Sequence, residues 1–469
     1  MTDELYFMEK ALEKAVEYGA DFAEVRFEEE NILYIRFEKE DIKSLDVGSD
    51  VGLGIVVYYK GARGYSYTSE LTEVSVDEMV KNAIRVAKAS SLLTKEKIEP
   101  IEYKPEDYKG FVPSVKKHPR DVSLEEKIEI ARLGIKHALS KEGIASLVTY
   151  YGERWGRKIF LNSEGLKRSW NPIIVGLIYL AVARKNGNVG RSYENFSASR
   201  GLELFEDRSP EEIVERAVKG AFDNLEGKII KSGEYPIVAD PEFAGLIAHE
   251  SFGHLTEGDY VATKASILYG RLGEKLGSDE ANILESGDPV NYGYWVPYDD
   301  EGVATKTVYL VKNGYLEGYL HSRFTAKMMN MSPTGNARAI NYRFPPIVRM
   351  RNTYFGPGDM TKEEVFEVIK RGVYAEGSMG GQTNDIGVFT FGANRAYWIE
   401  DGEIKYPIKS VTVRGNILDF LKNIIGASKE VYVRTSIRGG CGKAMQGPLP
   451  VGLGGPYLAV KKAIISVGG

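Results

Sequence analysis

The stretch Asp21 to Glu38, DFAEVRFEEENILYIRFE, sets Ala23, Val25 and Phe27 against Glu24, Arg26 and Glu28, then resumes the alternation at Leu33, Ile35 and Phe37. A period of two sends successive side chains to opposite faces, so this stretch predicts a half-buried β-sheet. Upstream, Leu5, Met8, Leu12 and Val16 recur at three- and four-residue steps until Gly19, the pattern of an amphipathic helix. Downstream, Gly61 to Gly64 predicts a hairpin turn between the apolar run Gly54 to Tyr59 and Tyr65 to Thr68. Further helices are signalled by a serine with glutamate three residues on, at Ser75/Glu78, Ser123/Glu126 and Ser209/Glu212. Pro210 suits the first turn of the third. Lys95 to Arg120 carries four prolines and no periodicity, and reads as a surface connection. Tyr150 to Gly201, aromatic and β-branched with turn residues at Asn162, Gly165 and Gly187 to Gly190, predicts antiparallel hairpins.

The helix opened by Ser209 closes near Gly227, and beyond Gly233 the chain turns to short strands separated by glycine clusters at 377–381 and 439–442. The fold expected is α+β in two domains. Residues 1–228 form helices packed on an antiparallel sheet, and residues 229–469 form a β-rich domain carrying the helix that holds the chemistry. A length of 469 residues fits two or three domains. Lys plus Arg number 61 and Asp plus Glu 66, a net charge of −5, which argues against nucleic-acid or anionic-membrane binding. The longest apolar run, Ile173 to Ala183, is well short of the roughly 20 residues a membrane helix needs. With a single cysteine and no readable secretory signal in MTDELYFMEK, a cytoplasmic setting is expected.

Asp240, Pro241 and Glu242 supply a cap, a first-turn proline and a first-turn acid, so a helix should run from Pro241 into His249. On it lies HESFGH, with His249 and His254 five positions apart and Glu250 after the first. Zinc peptidases usually place two histidines at i and i+4. Five positions leave two side chains roughly 140° apart on an ideal helix. A one-residue π-bulge or a break would bring the rings together, and Gly253, with the freest backbone, is the residue most tolerant of that distortion. The plain reading is a surface pair of Glu250 with His254 and a packed His249. Glu257 and Asp259 can be ligands, partners of ligands or solvated acids. Cys441, in Gly439-Gly440-Cys441-Gly442, can be a zinc ligand, a buried structural thiol or a nucleophile with a histidine base, and the residues alone leave all three open.

HESFGHLTEGD from His249, PIVRMRNTYFGPGD over 346–359 and GGCGKAMQGPLPVGLGGP over 439–456 resemble the TldD/PmbA family, specifically its TldD-type metallopeptidases. ADFAEVRFE near the start and the Tyr150 to Gly201 region also look like that family's N-terminal domain. The resemblance implies that His249, His254 and Cys441 bind Zn2+ and that Glu250 is the general base. It also implies hydrolysis of short or unfolded polypeptides, and a homodimer or a heterodimer with a sister family member. Such a donor set leaves a fourth zinc position for water, from which Glu250 can take a proton. The alternative is a noncatalytic peptide-binding or assembly subunit with a structural metal. Gly377 to Gly381 could offer backbone donors to a peptide, or be a tight turn. His321 could steady an oxyanion or be structural. Arg351 and Asn352 match the family stretch without a readable role, and His118 and His137 read as linker and helix surface. Gly452 to Gly455 lacks the spacing of a dinucleotide loop.

Overall fold

The structure, a computed structural model, describes residues 3–93, 97 and 100–467. The alternating stretch is strand β1 (Phe22–Glu38), followed by β2 (Asp41–Tyr59), β3 (Ala62–Thr68), β4 (Ile144–Asn162), β5 (Lys167–Trp170), β6 (Ile173–Lys185) and β7 (Asn188–Ala198). These form one antiparallel sheet in the order β3-β2-β1-β4-β6-β7, with β5 paired to β4. Ala23, Val25 and Phe27 pack with Met8 and Ala11 of helix Asp3–Glu17 and with Val76 and Val80 of helix Glu73–Ser91. Further along the same face, Leu33, Ile35 and Phe37 pack under helices Leu124–Leu139 and Pro210–Glu226. One apolar face thus seats these four helices.

The opposite face departs from the half-buried reading. Glu24, Arg26 and Glu28 are themselves buried, because the second half of the chain covers them. Arg26 pairs with Glu28 at 2.8 Å and Asp300 at 3.3 Å, and Lys158 pairs with Asp300 at 3.1 Å and Glu28 at 3.2 Å. Arg323 reaches Glu24 at 3.3 Å. Burial pushes the Asp300 carboxyl up, but Lys158 and Arg26 outweigh it and hold it below the usual carboxylate value. Alternation marks which residues share a face, and here charge pairing is what lets the polar face be covered.

Two of the three serine caps lie where expected. Ser123 accepts the Glu126 N–H, and Ser209 with Glu212 forms a reciprocal capping box. The third is displaced: Thr72 caps the helix by accepting the Ser75 N–H at 3.2 Å, so the helix begins before Ser75. Of the proline-rich connection, residues 95, 96, 98 and 99 lie outside the described residues, and 100–118 contain no helix or strand.

The second half begins with strand Gly233–Ala239, in a seven-stranded sheet with Leu458–Val467, Val411–Asn416, Val388–Glu400, Glu403–Ile408, Ile424–Ala427 and Arg371–Thr383. Pairing of Arg371–Thr383 with both Gly233–Ala239 and Val388–Glu400 closes five of these strands into a ring. A six-stranded sheet includes Asn352–Phe355, parallel to Gly452–Gly455, so the Gly452 cluster is a strand and not a phosphate loop. Helix Pro241–Leu246 is pressed between ring and sheet. A Cβ on Gly245 would lie 2.1 Å from the Gly454 backbone nitrogen, so only glycine permits this approach. Among the described residues, no helix is long and apolar enough to cross a membrane.

The buried charge network gives a direct test. Asp300→Asn leaves Arg26 and Lys158 with Glu28 as their remaining acid, and should lower stability by about 3 kcal/mol, the lower end for breaking a buried pair. Denaturant titration against the parent reads it, and a change below about 0.5 kcal/mol would show that the network contributes little.

Candidate metal centre

Asp240 accepts the Phe243 N–H at 2.8 Å and Pro241 fills the first helical position, so the helix starts as its residues dictate. After Leu246 it widens into a π-helix over Ile247–Gly253, and the His254 N–H donates to the His249 carbonyl five residues back. That wider turn removes the divergence a regular helix would impose. The two imidazole centroids stand 5.4 Å apart, with rings at 83°. Gly253 contributes differently from expectation. Its backbone is ordinary right-handed helix at φ −55°, and what excludes a side chain is space, since a Cβ would lie 2.1 Å from the Met350 sulfur.

Cys441 opens the short strand Cys441–Lys443, which folds back on Gln446–Leu449. Its Sγ lies 3.3 Å from His254 Nε2, and ligand atoms of His249, His254 and Cys441 all lie within 4.8 Å of one another. Both ring nitrogens of His249 are buried without a hydrogen-bond partner. Buried polar atoms are rarely left unpaired, so this orphaned imidazole beside a thiol marks a position for a further group. Two imidazoles and one thiolate are the donor chemistry that zinc takes.

The surroundings orient these donors. Glu257, fully buried, accepts from His254 Nδ1 at 2.9 Å, which aims Nε2 at the sulfur. Lys443 Nζ then bridges Glu257 at 3.1 Å, both oxygens of Asp259 at 2.7 Å and the Val348 carbonyl at 2.9 Å. Burial would raise the Cys441 thiol, yet the two imidazoles prevail and hold it at about 5. Burial pulls His254 down, but Glu257 and Cys441 carry it well above the ordinary imidazole value, and His249 is raised chiefly by Cys441 against the same burial cost. Glu257 sits below its usual range because His254 and Lys443 outweigh its burial.

Arg349 is the residue that sequence reasoning missed. Fully buried, its guanidinium donates to the Cys441 carbonyl at 2.6 Å and the Gln446 carbonyl at 2.9 Å, pinning the hairpin that carries the thiol. It lies within 346–359, but nothing in that stretch points to position 441. Lys443 had a weak signal, because residues i and i+2 of a strand share a face.

Other candidates take structural places. Arg351 pairs with Glu285 at 3.0 Å, both fully buried, and Asn352 Nδ2 donates to the Ser286, Asp288 and Tyr294 carbonyls. The His321 ring contacts Thr325 and Met331, and its burial lowers it to about 4. His118 caps Pro119–Asp121, and His137 pairs with Glu215 at 2.6 Å. The glycines of 377–381 lie inside a strand with a bulge rather than between strands. Several donors there are already engaged: Gly377 N–H by Asp240, Ser378 N–H by Glu242 and Gly380 N–H by the Ser378 hydroxyl.

Two concavities flank the centre. One includes His249, Gly439 and Gly440, and the other includes His254, Gly442 and Lys443. Glu250 lines both, with 35% of its side chain exposed and Oε2 3.9 Å from His254 Nε2.

A two-histidine, one-cysteine centre on a π-turn, approached from two sides, is an arrangement suited to a metallopeptidase. The family description PmbA/TldA metallopeptidase C-terminal domain matches residues 232–467, its central domain 117–225 and its domain 1 23–87. The chain belongs to the PmbA/TldD metallopeptidase family. It is 35% identical to a metalloprotease of Methanothermobacter thermautotrophicus, with 96% of each chain covered. It is 30% identical to a zinc metalloprotease TldD homolog of Saccharolobus solfataricus, covering 98% of this chain and 100% of that one. The crystal structure of TldE from Thermococcus kodakarensis shares the fold, with a TM-score of 0.82 at 23% identity over 98% of this chain and all of the other.

The Cys441 environment is testable without metal. Its folded value of about 5 lies below the ordinary thiol value, so the thiolate adds stability that is present above that ordinary value and is lost as pH falls through about 5. In chelator-treated protein, ultraviolet thiolate absorbance should persist at pH 7 and disappear near 5. His254→Ala should move that midpoint upward, and an unmoved midpoint would remove His254 as a cause.

Proposed function

We propose that this protein is a zinc-dependent peptidase of short or unfolded polypeptides, with His249, His254 and Cys441 as metal ligands and Glu250 as general base. The observation that carries this reading is the convergence of those three donors, with the His249 nitrogens unpartnered, between two concavities that meet at Glu250. The names of the relatives support the zinc and the peptidase activity.

A zinc ion there supplies Lewis acidity, acidifying water and polarising a peptide carbonyl. The chain does the rest. Glu250, half-open to solvent, accepts a proton from the attacking water and returns it to the departing amine. Glu257 fixes the His254 tautomer by taking its Nδ1 proton in a hydrogen bond, and Arg349 holds the Cys441 carbonyl so that the thiolate stays in register. An extended chain running from one concavity to the other passes Glu250 midway. Compact proteins are poor substrates because their backbones are already paired and His249 and Cys441 lie nearly buried, each 1% exposed. We place the domain boundary at 228/229, so residues on both sides of it line the cleft. The proposal includes a dimer, either of like chains or with a sister family member, and the lone unpaired thiol suits a cytoplasmic setting.

Glu250→Gln should retain one equivalent of zinc and lose roughly 10²- to 10⁴-fold in kcat on an unstructured peptide, because the amide keeps the shape without the basicity. Metal analysis beside peptide assays checks both halves. Undiminished turnover at full metal content would remove Glu250 as base. Chelation should abolish cleavage and zinc restore it. A reduced, alkylated protein should be cut where its native form is spared, and equal cleavage of both would overturn the substrate reading.

A further inference from the structure

We infer that the concavity beside His249 and Glu250 is a specificity pocket for a large apolar side chain on one side of the scissile bond. This rests on the peptidase reading above and goes beyond it to side-chain preference.

The pocket is built from both halves of the chain. Ile178, on the face of β6 turned away from the helices, meets Leu246, Val451 and Leu453 from the second half, giving four aliphatic walls. The polar side chains facing the same space are held by one another. Arg434 pairs with Glu242, and the Tyr193 hydroxyl lies 3.0 Å from Glu242 and donates to the Ser378 carbonyl at 2.5 Å. Asn195 Nδ2 donates to the Thr435 carbonyl at 2.8 Å and its Oδ1 accepts from Ser197. A charged substrate side chain would lose water here and, apart from Glu250 at the mouth beside the metal centre, meet charges that are already neutralised, whereas an aliphatic or aromatic one would bury its surface against the four walls.

The other side of the centre contrasts. There Leu255 and Ala265 are the aliphatic side chains among Lys443, Asn384, Asp385, Thr383 and Tyr260, so the apolar lining is smaller than the four walls opposite. The two flanks of Glu250 differ in chemistry. A preference is therefore expected at one substrate position and tolerance at the other.

The experiment uses the full-length zinc-loaded protein and a random peptide library, with cleavage products sequenced. The parent should favour Leu, Met or Phe over Asp or Lys by roughly 10- to 100-fold in kcat/KM at one position next to the cut, and show little preference at the facing position. Ile178→Ala enlarges the pocket with little risk to the strand and should shift preference from Leu toward Phe and Trp. Ile178→Asp should bring in Lys and Arg at the same position. Cleavage without preference at either position, or Ile178 variants that keep the parent profile, would overturn the pocket while leaving the peptidase reading intact. No cleavage of any peptide by protein with a full zinc complement would overturn the peptidase reading and the pocket with it.

Discussion

The hydrogen bond from the His254 N–H to the His249 carbonyl is the constraint on which the centre depends. In a regular helix that donor would go to the carbonyl of Glu250, and the two rings would point away from each other. The wider turn has poorer hydrogen-bond geometry, and packing compensates for it. Ile247, Ala248 and Phe252 are buried in the largest apolar cluster, and Gly245 and Gly253 are pressed against Gly454 and Met350. Asp240, at the other end, also receives the Gly377 N–H and so ties the start of the helix to a strand of the ring.

The thiol is held just as firmly from a different part of the chain. Arg349 grips two carbonyls of the Cys441 hairpin, and Lys443 joins that hairpin to the acids that follow His254. Coverage of the first sheet's charged face serves the same end at larger scale. Arg26, Glu28, Lys158 and Asp300 lock the two halves together, and that contact places β6 and β7 against the cleft. Glu242 and Arg434 complete the arrangement by neutralising one another at the cleft wall.

Periodicity and capping made much of the fold legible. Alternation in β1, hairpin turns between β4 and β7, and the caps at Ser123, Ser209 and Asp240 are local properties, set by side chains within a few residues of each other. Thr72 was missed because two hydroxyl residues three apart offer equivalent caps, and packing of the helix decides between them. The burial of Glu24, Arg26 and Glu28 was not legible, since what covers them, including Asp300 against Arg26 and Arg323 against Glu24, comes from the second half of the chain. In the site, the spacing of His249 and His254 correctly demanded a wide turn, although the reason assigned to Gly253 was backbone freedom when the structure shows a shortage of room. Arg349 acts on a carbonyl, and carbonyls leave no mark in a sequence.

The bridge from Lys443 to Glu257 and Asp259 ties the Cys441 strand to the histidine segment through the chain's own side chains, so the two form one cradle. If the proposed divalent ion docks there, it meets donors that this bridge already holds near one another and forfeits little chain entropy. What it must overcome is the stripping of its own hydration shell and the expulsion of protons held between imidazole and thiol. On that reading, the choice between ions rests on their appetite for sulfur and nitrogen.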